Sequence, residues 1–319
     1  MVAGLTLMVG VLVVRHRPIT NLVELVVAVG APFLSLTAGA FLLVITVVTR
    51  RSVLALMAVC VLVVPLWAQA SWYYVPRPVD VGQHVEIRVF SSNLRLGRAE
   101  APAFVALVKE HADVVTVSEL TPAAIERFTD AGIGEHFPYS LLAPSGGAGG
   151  IGLWSRYPVT AVDSGNPRDY TMAAARVQIP KVQTAPLIAS LHVTSPVASR
   201  RDTVAQWQIG VSAVKAALSA FALTAGSGAV IVAGDFNSTP DMRQFRDLAT
   251  NGYRDAVEQT GAGFAPTFPS RTWHPPLLTI DHILTRNAAA SSIRTVYIPG
   301  SDHRALLGTI SIPVNPPAL

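Results

Sequence analysis

Cysteine is nearly missing from this chain: its 319 residues hold one, Cys60. That excludes an intramolecular disulfide and disfavours a structural zinc site, and it leaves the redox compartment open. Lysine is almost as scarce, occurring only at Lys109, Lys181 and Lys215. Charged residues make up 14% of the chain against 50% hydrophobic, too apolar for one soluble domain and too polar for a protein lying wholly in a membrane. Of 24 basic and 20 acidic residues, Arg15, Arg17, Arg50 and Arg51 and one acid, Glu24, precede residue 71, so the remainder is close to neutral. A broad nucleic-acid-binding face needs a clear basic excess. Its absence counts against a dedicated binder of long DNA. No internal repeat and no low-complexity segment is visible.

What the chain does have is an apolar N-terminal segment of 71 residues, under a quarter of its length. Three runs stand out: Val2 to Val14, Leu22 to Val48 and Ser52 to Ala70. They predict three transmembrane helices in a membrane anchor over residues 1–71. The first run spans only about 20 Å of helix against a hydrocarbon core of about 30 Å. Either its true start lies upstream or the segment is incomplete. A signal peptide fits less well, because two further spans follow and no small-residue cleavage site is evident. The arginines flank both sides of the second span, so the positive-inside count ties. The tight Thr49-Arg50-Arg51-Ser52 turn reads as a cytoplasmic hairpin, with Trp72, Tyr73 and Tyr74 as an outer aromatic belt. This predicts a multi-pass protein of the cell membrane with its large domain extracytoplasmic. Residues 72–83, with Val75-Pro76-Arg77-Pro78, form a stiff linker, and residues 84–319 are ample for one large core.

That remainder alternates strands with helices. Strands are predicted at Val85–Phe90, Val114–Val117, Ile151–Trp154, Ala173–Gln178, Leu187–Leu191, Ala229–Val232, Thr279–Leu284, Ser292–Ile298 and Leu306–Ile312. Helices are predicted at Arg98–His111, from a Thr121 cap through Thr129, at Asp202–Phe221 and at Asp241–Thr250. The mixture implies an α/β fold with helix-covered sheets. Polar residues recur where apolar strands end: Asn93, Glu119, His192, Asp235 with Asn237, Asp281, and Asp302 with His303. Strand ends are where α/β folds gather their sites.

Seven motifs stand in order: Ser92-Asn93-Leu94, Val117-Ser118-Glu119, Gly150-Ile151-Gly152-Leu153-Trp154-Ser155-Arg156-Tyr157-Pro158, Leu191-His192, Gly234-Asp235-Phe236-Asn237, Ile280-Asp281-His282-Ile283-Leu284 and Ser301-Asp302-His303. The series resembles the endonuclease/exonuclease/phosphatase (DNase I-like) superfamily over about residues 84 to 313. With its apolar N-terminus the chain looks most like the actinobacterial membrane proteins of that superfamily linked to vancomycin and teicoplanin resistance. The resemblance implies a four-layer sandwich of two packed mixed β-sheets flanked by helices, and Mg²⁺-dependent phosphoester hydrolysis with Mn²⁺ as the alternative ion. One departure concerns substrate: related abasic-site nucleases carry Tyr where this chain has Ala148.

The chemistry asks for the same residue types. Mg²⁺ prefers oxygen ligands, one or two carboxylates among them, and phosphoester cleavage needs a positioned water and donors for developing charge. Glu119 is the expected metal ligand, with Asn93 and Asp302 beside it, and Asn93 also serves the phosphate. Asp235 is expected to orient and deprotonate the attacking water and Asn237 to hold that water or a phosphate oxygen. The bland alternative is an Asp-x-Asn turn. His303 is expected on a phosphoryl oxygen with Asp281 fixing its tautomer. His192 is expected to protonate the leaving group or to touch phosphate, against the alternative of a satisfied core histidine. His282 should face away. Arg200 and Arg201 would bind a diphosphate or simply start a helix. The expected substrate is a phosphate ester at the bilayer, lipid-linked or phospholipid-like. Nucleic acid is the less favoured partner, a non-catalytic phospho-ligand-binding module is a third reading, and no protein partner is deducible.

Overall fold

The computed structural model describes residues 2–49, 52–163, 170–198, 202–271, 273 and 275–315. Nine helices occur among them: α1 (Val2–His16), α2 (Leu22–Thr49), α3 (Ser52–Tyr73), α4 (Ala101–His111), α5 (Pro122–Asp130), α6 (Ile133–His136), α7 (Thr203–Ala225), α8 (Arg243–Arg246) and α9 (Ala256–Thr260). Twelve strands accompany them: β1 (His84–Asn93), β2 (Val114–Ser118), β3 (Tyr139–Ala143), β4 (Ile151–Ser155), β5 (Val159–Val162), β6 (Tyr170–Val177), β7 (Leu187–Val193), β8 (Val230–Asp235), β9 (Arg254–Asp255), β10 (Asp281–Arg286), β11 (Ala289–Val296) and β12 (Ala305–Pro313).

The strands form two six-stranded sheets, ordered β11-β12-β1-β2-β4-β3 and β5-β6-β7-β8-β10-β9. Each is mixed, with one parallel pair at its centre, β1 with β2 and β7 with β8. Side chains alternate faces along a strand, and that alternation builds the layers. Ile87, Val89 and Val114 of the first sheet meet Ile188, Ile231, Ala233 and Ile283 of the second in a core between the sheets. Phe90, Val115 and Val117 face the other way, onto Phe104 of α4 and Phe128 of α5. Val230 and Val232 face outward onto Trp207, Val211 and Leu218 of α7. Helix, sheet, sheet and helix therefore follow one another, and the expected pair of mixed sheets flanked by helices is present.

The strands expected from sequence are found within a few residues, and Thr121 caps α5 by accepting from the Ala124 N–H. β3, β5 and β9 were not expected; all are short or edge elements. The helix expected over Asp241–Thr250 shrinks to the single turn of α8. Met242 takes extended backbone just before α8, so the helix starts only at Arg243, and Asp241 ahead of it forms a buried ion pair with Arg15.

The N-terminal apolar runs are helical. Among the described residues, however, only α2 and α7 are long and apolar enough to cross a membrane, by length and composition alone. α7 buries one face in the domain core and α1 has only 15 residues, so the expected count of three spans is not reached on that criterion. The α1–α2 connection is also no free tether. Ile19 is fully buried in one core with Trp207, and its carbonyl accepts from the side chains of Gln208 and Gln244.

Candidate active site

Six strand ends meet on one edge of the two sheets. In the second sheet, His192 pairs in register with Asp235, and Asp235 with Asp281. In the first, Asn93 lies beside Ser118 at the end of the parallel pair, which puts Glu119 just past it. His303 precedes β12, the antiparallel neighbour of β1. The turn out of β8 needs Gly234: a Cβ there would lie 1.9 Å from the Leu191 carbonyl oxygen of β7. Glu119 and Asn237 both take left-handed backbone, φ 58° and 46°. Non-glycine residues hold that conformation where their surroundings over-determine it, often at functional sites.

Asn93 is the hub. Its Nδ2 donates to Glu119 Oε1 and to Asp235 Oδ2, each at 3.1 Å, so it ties the two sheets together at the site. Its Oδ1 accepts from the Arg95 N–H. Glu119 Oε2 accepts from the Leu96 N–H at 2.6 Å. Asp235 is buried, and its Oδ1 accepts from the Asn237 N–H at 2.8 Å. His303 Nδ1 lies 2.8 Å from Asp281 Oδ2, and its Nε2 lies 3.8 Å from Asp235 Oδ2. His192 Nδ1 donates to the Ala148 carbonyl, and its Nε2 points at Glu119 and Asp235 from 3.8 and 3.7 Å. The satisfied side of His192 is thus its Nδ1, and the other nitrogen faces the cluster.

Charges here are mutually dependent. Burial and the neighbouring Asp281 charge raise the Asp235 pKa, opposed by His303, His192 and the Asn237 N–H. Burial alone would lower the His303 pKa, but Asp281 and Asp235, with the Asp281 hydrogen bond and Asp302, push it up to about 10. At neutral pH His303 is therefore an imidazolium held against Asp281. Such perturbed groups cluster at functional sites.

The expected residues Asn93, Glu119, His192, Asp235, Asp281 and His303 are brought together. Asn237 sits among them, but its Nδ2 donates to the Val193 carbonyl at 2.8 Å and its backbone N–H holds Asp235. Asp302 lines the same cavity, with its carboxylate 3.7 Å from Arg95 Nε, both groups part-exposed. His282 turns away, its ring nitrogens on Asp255 and the Ser238 carbonyl. Arg200 and Arg201 lie outside the described residues. Sequence reasoning missed the Leu96 N–H, because a backbone donor carries no residue signature. It also missed Ser301, whose hydroxyl donates to the Asn93 carbonyl and accepts from the His303 N–H, though Ser301 stood inside a recognised motif.

The cluster opens into a cavity of about 950 Å³. Asp235, Asp281 and His303 each offer one ligand atom within 4.8 Å of the others. The 2.8 Å Asp281–His303 hydrogen bond fits that trio better to a proton relay than to a hard cation. Glu119 offers the carboxylate oxygens a hard cation prefers, while Asn93 turns its Nδ2 toward them and its Oδ1 toward the Arg95 N–H.

Solved structures share this architecture at low identity. An endonuclease/exonuclease/phosphatase family protein from Bacteroides thetaiotaomicron superposes with a TM-score of 0.55 at 14% identity, covering 72% of this chain and 99% of that one. One from Bacteroides vulgatus gives 0.52 at 18%, covering 72% and 99%. The D. rerio TDP2 structure complexed with single-strand DNA product gives 0.53 at 15%, covering 70% and 98%. No curated protein sequence matches. The model of the Endonuclease/Exonuclease/phosphatase family matches residues 90–303, two thirds of the sequence and the whole of the strand-end cluster, and the chain belongs to that family.

Proposed function

We propose that this protein is a membrane-anchored, divalent-metal-dependent phosphohydrolase. It cleaves a phosphate or diphosphate ester, lipid-linked or phospholipid-like, by water attack at the extracytoplasmic bilayer surface. Members of the family are generally hydrolases of phosphoester bonds and depend on a divalent metal. The observation that carries the reading is the meeting of Glu119, Asp235 and His303 at the polar end of one cavity, with Asn93 hydrogen-bonded to both carboxylates behind them and His303 Nε2 3.8 Å from Asp235.

Glu119 fits a hard cation and would hold Mg²⁺ or Mn²⁺ with Asp302 beside it; Asn93 would join them as a ligand only with its amide turned over, since its Nδ2 now faces Glu119. When bound, the ion neutralises charge on the phosphate oxygens. The protein's own groups do the rest. Asp235, its basicity raised by burial, accepts the proton of water as the water oxygen bonds to phosphorus and the ester P–O bond breaks. The His303 imidazolium donates Nε2–H to a phosphoryl oxygen while Asp281 keeps that nitrogen protonated and aimed. His192 Nε2 faces the same space 3.7 Å from Asp235; it takes the proton that Asp235 removed from water and delivers it to the leaving oxygen. Asn93 holds the metal ligand and the base at fixed separation, so orientation precedes substrate.

Membrane attachment rests on α2 and on the docking of α1–α3 against the catalytic core. A second reading, a nuclease, is favoured by the TDP2 neighbour with its DNA product. The near-neutral charge outside the N-terminal segment weighs against it. Phosphate release from a lipid phosphoester in mixed micelles, beside plasmid nicking at low salt, separates the two. Nicking without lipid hydrolysis would replace the first reading by the second. A C-terminal reporter enzyme active in one compartment tests the orientation.

A further inference from the structure

The catalytic cluster occupies only the polar end of its cavity. At about 950 Å³ the cavity lies at the upper end of the usual ligand range and is far larger than a phosphate group needs. One wall is α2. Val26, Val29, Gly30 and Phe33 line it, at spacings that put them on one helical face over about 10 Å. Leu278 and Ile280, from the segment leading into β10, also line the cavity. Val26 is 62% and Phe33 39% exposed, so much of this apolar surface is uncovered.

The wall is fixed in place. Leu25 and Ala28 are buried in the core that holds Trp207 of α7, which sets the rotation of α2 and turns the next face toward the cavity. Gly30 adds only backbone to this wall, and a Cβ there would lie 3.3 Å from Leu34 Cδ1, so a larger residue must displace Leu34 or project into the cavity. Beyond the cavity the same helix exposes Phe41, Val44 and Val47, and over its full 28 residues, cavity wall included, it is long enough to cross a bilayer. An apolar chain leaving the cavity along α2 would therefore pass into lipid rather than water.

We propose that α2 is a substrate-binding element of the active site: it supplies a hydrocarbon subsite, and the acyl or prenyl chain of a phosphoester lies against Val26, Val29, Gly30 and Phe33. The polar end beside Glu119, Asp235 and His303 takes the phosphate. This rests on the phosphohydrolase reading and adds the element that selects the substrate. A polar wall would suit a water-soluble ester or a nucleotide; this one offers no hydrogen-bond partners along α2. The helix that holds the enzyme at the bilayer thus also measures the lipid.

The test compares two phosphomonoesters with the same head, one on a long alkyl chain in mixed micelles and one on a short, soluble chain. The full-length protein with Mg²⁺ is assayed as wild type, Gly30→Leu and Val26→Asn. Val44→Asn, on an exposed part of α2 outside the cavity, is the control. The ratio of kcat/KM for long over short chain is expected to fall about tenfold or more in both wall variants and to hold in the control. If Gly30→Leu does not fold, Val26→Asn decides, because that side chain is already largely exposed. A ratio unchanged in the wall variants, or lowered equally by Val44→Asn, overturns the subsite while leaving the hydrolase intact. Failure of the wild type to hydrolyse either ester overturns the functional reading itself.

Discussion

Removing the carboxylate of Asp241 should loosen the N-terminal helices from the catalytic domain. Asp241 lies six positions past Asp235, and its Oδ1 accepts from Arg15 Nε at 2.8 Å and from the Gln69 amide. The Arg15 and Asp241 side chains are 11% and 3% exposed, so little solvent screens them. Asp241→Ala leaves the Arg15 guanidinium buried without its counter-charge, which costs about 3–5 kcal/mol. At about 2–4 °C per kcal/mol for a domain of this size, the midpoint should drop by about 6–20 °C. The assay is thermal unfolding of the full chain in one detergent at one scan rate, followed by circular dichroism. The double variant Arg15→Met/Asp241→Leu should recover most of the loss, because well-packed apolar replacements of a buried pair are often neutral. A loss below about 1 kcal/mol, the range of exposed pairs, would refute the docking, as would a double variant no better than the single.

Other expectations follow from the site. Gly234→Ala forces a Cβ into the Leu191 backbone, which cannot swing aside as a side chain would, so β7 and β8 must part. It should cost more than the usual 1–3 kcal/mol of overpacking, roughly, and displace Asp235; an unchanged melting midpoint with full activity would contradict this. Asp281→Asn removes the charge and hydrogen bond that hold His303 protonated, so the His303 imidazole titration, followed by NMR in EDTA, should fall from about 10 toward ordinary values. The sign for stability follows: a raised histidine pKa contributes stability fully below about 6.5 and loses it as pH rises through the folded value. Wild type should therefore weaken between about pH 6.5 and 10 by more than Asp281→Asn does, and parallel curves would refute the coupling.

Much of this site is local in character and could be read ahead of the structure. Asn93, Glu119, His192, Asp235 and Asp281 each end or begin an apolar run, and a strand end is a local pattern. What stayed hidden is non-local. Arg15 reads as a membrane-flanking charge, yet its partner lies 226 positions away, and no periodicity announces such a pair. The Asp241–Thr250 stretch has helix-compatible residues, yet Met242 is extended and only Arg243–Arg246 turn into helix, a tertiary outcome that propensity does not carry. The apolar face of α2 reads as lipid-facing, and only the fold shows that part of it walls the catalytic cavity. β9 consists of two residues, too few to carry a pattern, though its Asp255 holds His282.

The central claim is that Asp235 activates water beside a cation held at Glu119. The most direct measurement is phosphate release from a lipid phosphoester by the full-length protein, as wild type and as Asp235→Asn, in EDTA and after titration with Mg²⁺. Activity should require the added ion and fall by about 10²–10⁴-fold in Asp235→Asn, with the variant still folded. Equal release by both proteins, or full wild-type activity in EDTA, would contradict it.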